Sequence, residues 1–262
     1  MMEKEITFLT HKAARAKVLR LFLDYDGTLA EFAPTPDTIL PNEAIITLMQ
    51  RLVSASGLLP AIISGRCLPH IRKLLPVDGL LMAGTYGIEI QLSDGNYRSL
   101  LPFEQVRPIM ERLLPRWQAL VADHKGFYLE DKGWSLALHG RFAAQEEAQN
   151  LMAAARVAVQ ELSPGIHFQL KDGDRFLELV PSIANKAISV QWMLEELTPK
   201  DALVVYIGDD DKDEEAFSPV LAAGGYAIRV ANKSIETHAQ YRLQGPAAVL
   251  TWLNEVLSIR GA

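Results

Sequence analysis

In the stretch LRLFLDYDGTLAEF, residues 19–32, Asp24 and Asp26 close an apolar run and stand directly before Gly27 and Thr28. A spacing of two directs both carboxylates to one side of an extended chain. Three further segments carry side chains capable of chemistry. IISGR offers the Ser64 hydroxyl, the flexible backbone of Gly65 and the cation of Arg66. IANKAISVQWML places Lys186 at a helix start, and GDDDKDE supplies Asp209, Asp210, Asp211, Asp213 and Glu214. Each alone has an ordinary reading: an Asp-Gly turn, a helix start, a solvated lysine, an acidic helix N-terminus favoured by the macrodipole. All four nevertheless fall at a strand end or helix start, on the side where a parallel α/β sheet binds ligands.

Electrostatics then selects the content of such a site. Carboxylates brought together raise one another's pKa. A hard divalent cation relieves the repulsion, and few carboxylates with room for water and phosphate oxygens suit Mg²⁺. A phosphate can join the metal, with Ser64, Gly65 and Lys186 taking other phosphate oxygens and Arg66 facing the substrate. Asp24, at the strand end, is the natural nucleophile for an aspartyl-phosphate. Asp26 can protonate the leaving oxygen and then activate water. Lys186 and the metal would stabilise charge on the transferring phosphoryl group.

The elements that must position these residues alternate. VLRLFLDY, LLPAIISG and ALVVYIGD read as buried strands, PNEAIITLMQRLVSAS as an amphipathic helix opening at Pro41, and CLPHIRKLLP as a short helix. That alternation implies a mostly parallel sheet covered on both faces. The middle differs: a helix, a hairpin turning near Asp131–Gly133, a second helix and a hairpin turning at Asp172–Gly173. We read residues 104–182 as an inserted α+β unit of order αββαββ, and 1–103 with 183–262 as the α/β core. Whether residues 1–17 pack is open at this level.

With 262 residues, 49% of them hydrophobic, the chain can bury a sizeable core. A net charge of −6 argues against general nucleic-acid binding. The single cysteine, Cys67, excludes a disulfide framework and a Cys-based zinc site. No run approaches the roughly 18 apolar residues of a membrane span, and the first residues lack a signal-peptide apolar block. The expectation is a soluble, cytoplasmic monomer acting on a small molecule, without nucleic-acid or membrane partners.

The four motifs, in order and spacing, resemble the haloacid dehalogenase (HAD) superfamily of phosphatases. That resemblance implies a Rossmann-like core with an inserted cap of type C2B. It also implies a metal held by Asp24, the backbone carbonyl of Asp26, and Asp209, with Asp210 and Asp213 in support. Within the superfamily, AGTYGIEI, LEDKGWSLALHGR and FLELVP are similar to segments of trehalose-6-phosphate phosphatases. The sugar contacts so implied are Glu130, Lys132 and Glu178. Three positions depart from the family pattern: Tyr86 where His is usual, Ala187 where Gly is usual, and Gly140 where Tyr is usual. None touches the metal or nucleophile, but a changed sugar-pocket lining at Tyr86 and Gly140 can change the sugar. The reading is a Mg²⁺-dependent trehalose 6-phosphate phosphatase. The alternatives are a phosphatase for sucrose phosphate or glucosyl- or mannosyl-phosphoglycerate, a phosphomutase, or a non-catalytic sugar-phosphate sensor.

Overall fold

The computed structural model describes residues 2–32, 38–163 and 167–262, with side chains from residue 6 onward. Contacts divide the chain into two units, Met1–Arg98 with Asn185–Ala262, and Ser99–Ala184.

The larger unit is built around β1 (Leu19–Leu23), buried at every position. It pairs in parallel with β2 (Leu58–Ile63) on one side and β10 (Leu203–Gly208) on the other. The eight-stranded sheet continues through β11 (Tyr226–Val230) to β12 (Tyr241–Leu243), and through β3 (Leu81–Gly84) and β4 (Glu89–Gln91) to β5 (Tyr97–Ser99). Pairing is parallel from β12 to β3, and β4 runs antiparallel to β3. Leu19, Leu21 and Leu23 share a core with Ile45 and Met49 of α2 (Glu43–Ser54) and Val249 and Leu253 of α8 (Pro246–Arg260). On the opposite face Phe22 lies near Tyr206, ring centroids 6.2 Å apart, and Tyr206 meets Phe217 of α7 (Asp211–Ala222) edge-on. Cover on both faces is why these strands read as continuous apolar runs.

The exception in β1 is Arg20, only 4% exposed. It donates to the Leu59 carbonyl (3.0 Å), the Leu197 carbonyl (2.6 Å) and Thr198 Oγ1 (3.1 Å) at the C-terminus of α6 (Lys186–Leu197). Those acceptors satisfy a buried cation at the negative end of a helix, and burial lowers its pKa to about 10. The N-terminal segment also packs: α1 (Met2–Arg15) buries Leu9 and Ala13. Arg260 donates to the carbonyls of Ala13, Ala14 and Ala16 at its end. Helix α2 starts later than Pro41, because the Asn42 side chain accepts from Ala44 and Ile45 N–H groups and sets the cap. The short helix in the 67–76 stretch is α3 (Leu68–Leu74).

The smaller unit runs α4 (Phe103–Val121), β6 (Tyr128–Asp131), β7 (Leu136–His139), α5 (Gln145–Leu162), β8 (Phe168–Gly173), β9 (Phe176–Pro181). Its antiparallel sheet has the order β6-β7-β9-β8. Its strands bury Leu136, Ala137, Leu138, Leu177 and Leu179, and the helices bury Met110, Leu113, Trp117, Ala148 and Ala155. The second hairpin turns at Asp174–Arg175, not at Asp172–Gly173. The ladder extends to Gly173 opposite Phe176 and aligns Leu170 with Leu179, and Arg175 takes the left-handed turn position with φ 49°. No helix among the described residues is long and apolar enough to cross a membrane.

Candidate active site

Asp24 is the first residue beyond β1, its N–H still bonded to the Ile207 carbonyl at 3.0 Å. It is 5% exposed. The chain then turns at Gly27, φ 78°, whose N–H donates to the Ala30 carbonyl at 2.7 Å. A Cβ at Gly27 would stand 2.3 Å from Asp209 Oδ2. Glycine is therefore required twice, for the backbone and for the close approach of the two acidic loops.

Lys186 opens α6, capped by the Asn185 side chain. Its Nζ donates to Asp24 Oδ1 at 2.6 Å and to Asp213 Oδ1 at 2.7 Å. Asp213, fully buried, also accepts from the Tyr206 hydroxyl at 2.7 Å, and its other oxygen accepts from the N–H groups of Asp209 (3.0 Å) and Asp210 (3.1 Å). Asp210 completes a capping box with Asp213 at the start of α7.

Positive charge is short here. Burial pushes Asp24 well above the usual carboxylate range, and Asp213, Asp209 and Asp210 add to the rise that Lys186 opposes. Burial, then the charges of Asp213 and Asp210, push Asp209 up to about 7. Burial works against the Lys186 ammonium, but Asp213 and Asp24 outweigh it and hold it well above the lysine range. Burial also works against ionised Asp210, yet Lys186, Lys212 and hydrogen bonds from Asp213 hold its carboxyl well below the usual range.

Asp24, Asp209 and Asp213 each bring one oxygen within 4.8 Å of the others. An all-oxygen set of this kind fits a hard cation such as Mg²⁺. Asp213 has both oxygens engaged by four donors, so Asp24 and Asp209 are the better ligands and Asp213 their anchor. Asp209 Oδ1 also accepts from the buried Thr28 hydroxyl at 3.3 Å.

Ser64 follows β2 and is 1% exposed. Its Oγ accepts from the Arg66 N–H at 3.1 Å, and its carbonyl accepts from the Tyr86 N–H at 2.9 Å. Arg66 forks onto Asp26, Nε to Oδ2 at 2.6 Å and Nη2 to Oδ1 at 2.7 Å, with Nη1 3.2 Å from His70 Nδ1. The structure thus brings Asp24, Lys186, Asp209 and Asp213 together, and joins Asp26 to Arg66.

In the smaller unit Lys132 Nζ donates to Glu178 Oε1 at 3.0 Å and lies 4.0 Å from Glu130 Oε2. Ser135 Oγ donates to Glu178 Oε1 at 2.6 Å, and His139 Nε2 lies 3.0 Å from Glu130 Oε2. His139 also stacks on Tyr128 with centroids 4.3 Å apart. Of the three departures, Tyr86 is 5% exposed and packs on Gly65. Gly140 lies where any side chain would meet Phe127 Cε1, 2.7 Å from a Cβ, and Ala187 sits in the first turn of α6. Tyr206 and Thr28 are site residues that sequence reasoning missed. Tyr206 reads as a core strand aromatic, and only the hydroxyl three residues before Asp209 hinted at more.

The core fold, with carboxylates gathered beyond its parallel strands, is that of HAD-like hydrolases. The sequence model of the trehalose-phosphatase family matches residues 22–247, and the chain belongs to that family, whose members are phosphomonoester hydrolases. It is 30% identical to the trehalose-6-phosphate phosphatase of Escherichia coli K12, over 90% of this chain and 85% of that protein. It is 29% identical to a probable trehalose-phosphate phosphatase of rice over 92% of this chain, spanning 66% of the rice protein. The C-terminal domain of Candida albicans trehalose-6-phosphate phosphatase shares the fold, with a TM-score of 0.80 at 19% identity and 97% of each chain covered.

Proposed function

We propose that this protein hydrolyses trehalose 6-phosphate to trehalose and phosphate, as a cytoplasmic monomer on a free sugar phosphate. Family membership supports the reaction class. The observation that carries the mechanism is the buried chain from Asp24 through Lys186 to Asp213, facing Asp209. An Asp24 oxygen attacks phosphorus, the phosphorus–oxygen bond to the sugar breaks, and Asp26, protonated once it leaves the Arg66 fork, gives that proton to the leaving sugar oxygen. Water, deprotonated by Asp26, then attacks the aspartyl-phosphate, releasing phosphate and restoring the Asp24 carboxylate. Lys186 fixes Asp24 and presents its charge where the phosphoryl oxygens gather, while Ser64 and Gly65 receive the phosphate. Arg66, now on Asp26, is the cation set beside the leaving group. Asp24, the Asp26 carbonyl and Asp209 would hold Mg²⁺, with Asp210 and Asp213 ordering the loop. When bound it supplies charge neutralisation and Lewis acidity toward phosphoryl oxygens. The sugar contacts on this reading are Glu130, Lys132 and Glu178.

The test is phosphate release by purified protein with Mg²⁺ from trehalose 6-phosphate, sucrose 6-phosphate and glucosyl-phosphoglycerate, with Asp24→Asn alongside. Release from trehalose 6-phosphate alone, reduced about 10⁴-fold or more in the variant, is expected for a nucleophile. Release from another sugar phosphate moves the substrate and keeps the mechanism, whereas no release from any of them overturns the proposal.

A further inference from the structure

Between β3 and β4, Thr85, Tyr86 and Gly87 form one tight left-handed turn with φ values of 48°, 56° and 99°. Two successive non-glycine residues in the left-handed region are a strained arrangement that surrounding structure must enforce. Here both are buried. The Thr85 N–H donates to the Arg66 carbonyl at 2.7 Å and the Tyr86 N–H to the Ser64 carbonyl at 2.9 Å. The Thr85 hydroxyl donates to buried Glu89 at 2.7 Å.

The turn has two working sides. On one, the Tyr86 ring lies on Gly65: a Cβ at Gly65 would stand 2.8 Å from Tyr86 Cε1 and 3.3 Å from its hydroxyl oxygen. On the other, Gly87 lies against α6, where a Cβ would stand 2.2 Å from both Cβ and Oγ of Ser189. Ser189 in turn donates to the Lys186 carbonyl at 3.0 Å. A single strained turn therefore touches both the loop that carries Ser64 and the helix that carries Lys186.

We propose that the Thr85–Gly87 turn is a strut setting the separation between these two phosphate-holding elements, and that Tyr86 is its positioning residue. The ring acts through Gly65 and not on the sugar. Because its ring lies on the loop after β2, the aromatic at this position tunes phosphate affinity through Gly65. The inference deepens the phosphatase reading and rests on it.

The experiment is a double-mutant cycle on the full chain, reading binding of inorganic phosphate with Mg²⁺ by calorimetry and by competitive inhibition. Gly65→Ala drives a methyl into the ring and is expected to weaken phosphate binding about 100-fold, the scale of an ångström-level misplacement. Tyr86→Ala, which removes the ring, is expected to weaken it about tenfold. The double variant should recover to within about threefold of Tyr86→Ala, since contacting residues couple. Penalties that multiply in the double variant overturn the strut. Should Gly65→Ala fail to fold, Tyr86→Phe decides: the ring alone should hold phosphate affinity within about twofold, and a loss as large as that of Tyr86→Ala overturns the proposal. A wild-type chain that binds phosphate and shows the coupling but releases none from trehalose 6-phosphate would fail the function and keep the strut. An active wild type with multiplying penalties would do the reverse, and a wild type that binds no phosphate sinks the strut outright.

Discussion

Two polar clusters of this molecule, one in each unit, are built on opposite plans. Around Asp213 in the larger unit, every acceptor is matched by a donor on a rigid element: Lys186 on α6, Tyr206 on β10, and two backbone N–H groups of the loop after it. In the smaller unit the links run from side chain to side chain: Lys132 and Ser135 donate to Glu178, and His139 meets Glu130. A cluster anchored to backbone holds its geometry whatever else varies. A cluster of exchangeable side chains can be rewritten one residue at a time while its sheet remains. On the proposed function, chemistry belongs on the first plan and sugar selection on the second.

Breaking the anchored cluster should have the largest effect after loss of the nucleophile itself. Asp213→Asn keeps the shape but removes the charge that holds Lys186 and exchanges one acceptor for a donor. We expect kcat to fall about 100-fold and the Mg²⁺ needed for half-activity to rise about tenfold, since residues behind a metal site typically matter at that scale. A Mg²⁺ titration of initial rates checks both numbers, and an unchanged Mg²⁺ midpoint would place Asp213 outside the metal site. The metal can also be read without turnover. A ligand that binds only the folded state stabilises it by about 2.7 kcal/mol at a hundred times its Kd. Saturating Mg²⁺ should therefore raise Tm in wild type by several degrees, reversibly with EDTA, and not in Asp209→Asn. The same increment persisting in Asp209→Asn would move the cation elsewhere.

The contrast also explains what was legible in the sequence. The gathering of Asp24 and Asp209 could be read because strand ends of a parallel sheet face one side, so position along the chain fixed position in space, and Lys186 joined them as a helix start on that side. Tyr206 could not, since a hydroxyl on a core aromatic looks the same whether or not it meets a carboxylate. Arg66 was legible as a cation beside the site, but not its fork onto Asp26, which depends on the path of the loop after β2. Arg20 shows the same limit in the fold: an arginine inside LRLFL gives no sign that α6 ends beside it. The second hairpin went to Asp174–Arg175 because ladder register, aligning Leu170 with Leu179, outweighed the local turn preference of Asp-Gly.

Smaller effects are expected from the exchangeable cluster, and of a different kind. Lys132→Ala removes a donor to Glu178. On the proposed function, KM for trehalose 6-phosphate should rise about tenfold while kcat stays within about threefold, the signature of lost uniform binding. Inhibition by inorganic phosphate should not change. A fall in kcat without a change in KM would tie Lys132 to the chemistry and erase the contrast.

The weakest perturbation probes how the hairpin carrying Glu130 and Lys132 is held. Arg107 on α4 donates from Nη1 to both Asp131 oxygens at 2.8 and 2.9 Å, and Asp131 Oδ1 also accepts the Gly133 N–H that shapes the turn. The Arg107 side chain is 26% exposed and that of Asp131 29%, so water screens the pair. Its contribution to stability should be about 0–1 kcal/mol. Arg107→Ala should accordingly shift Tm by no more than a few degrees and raise KM about twofold, because Gly133 still holds the turn. A tenfold rise in KM, matching Lys132→Ala, would show that this surface pair sets the hairpin's geometry, and that the second cluster depends on a fixed anchor after all.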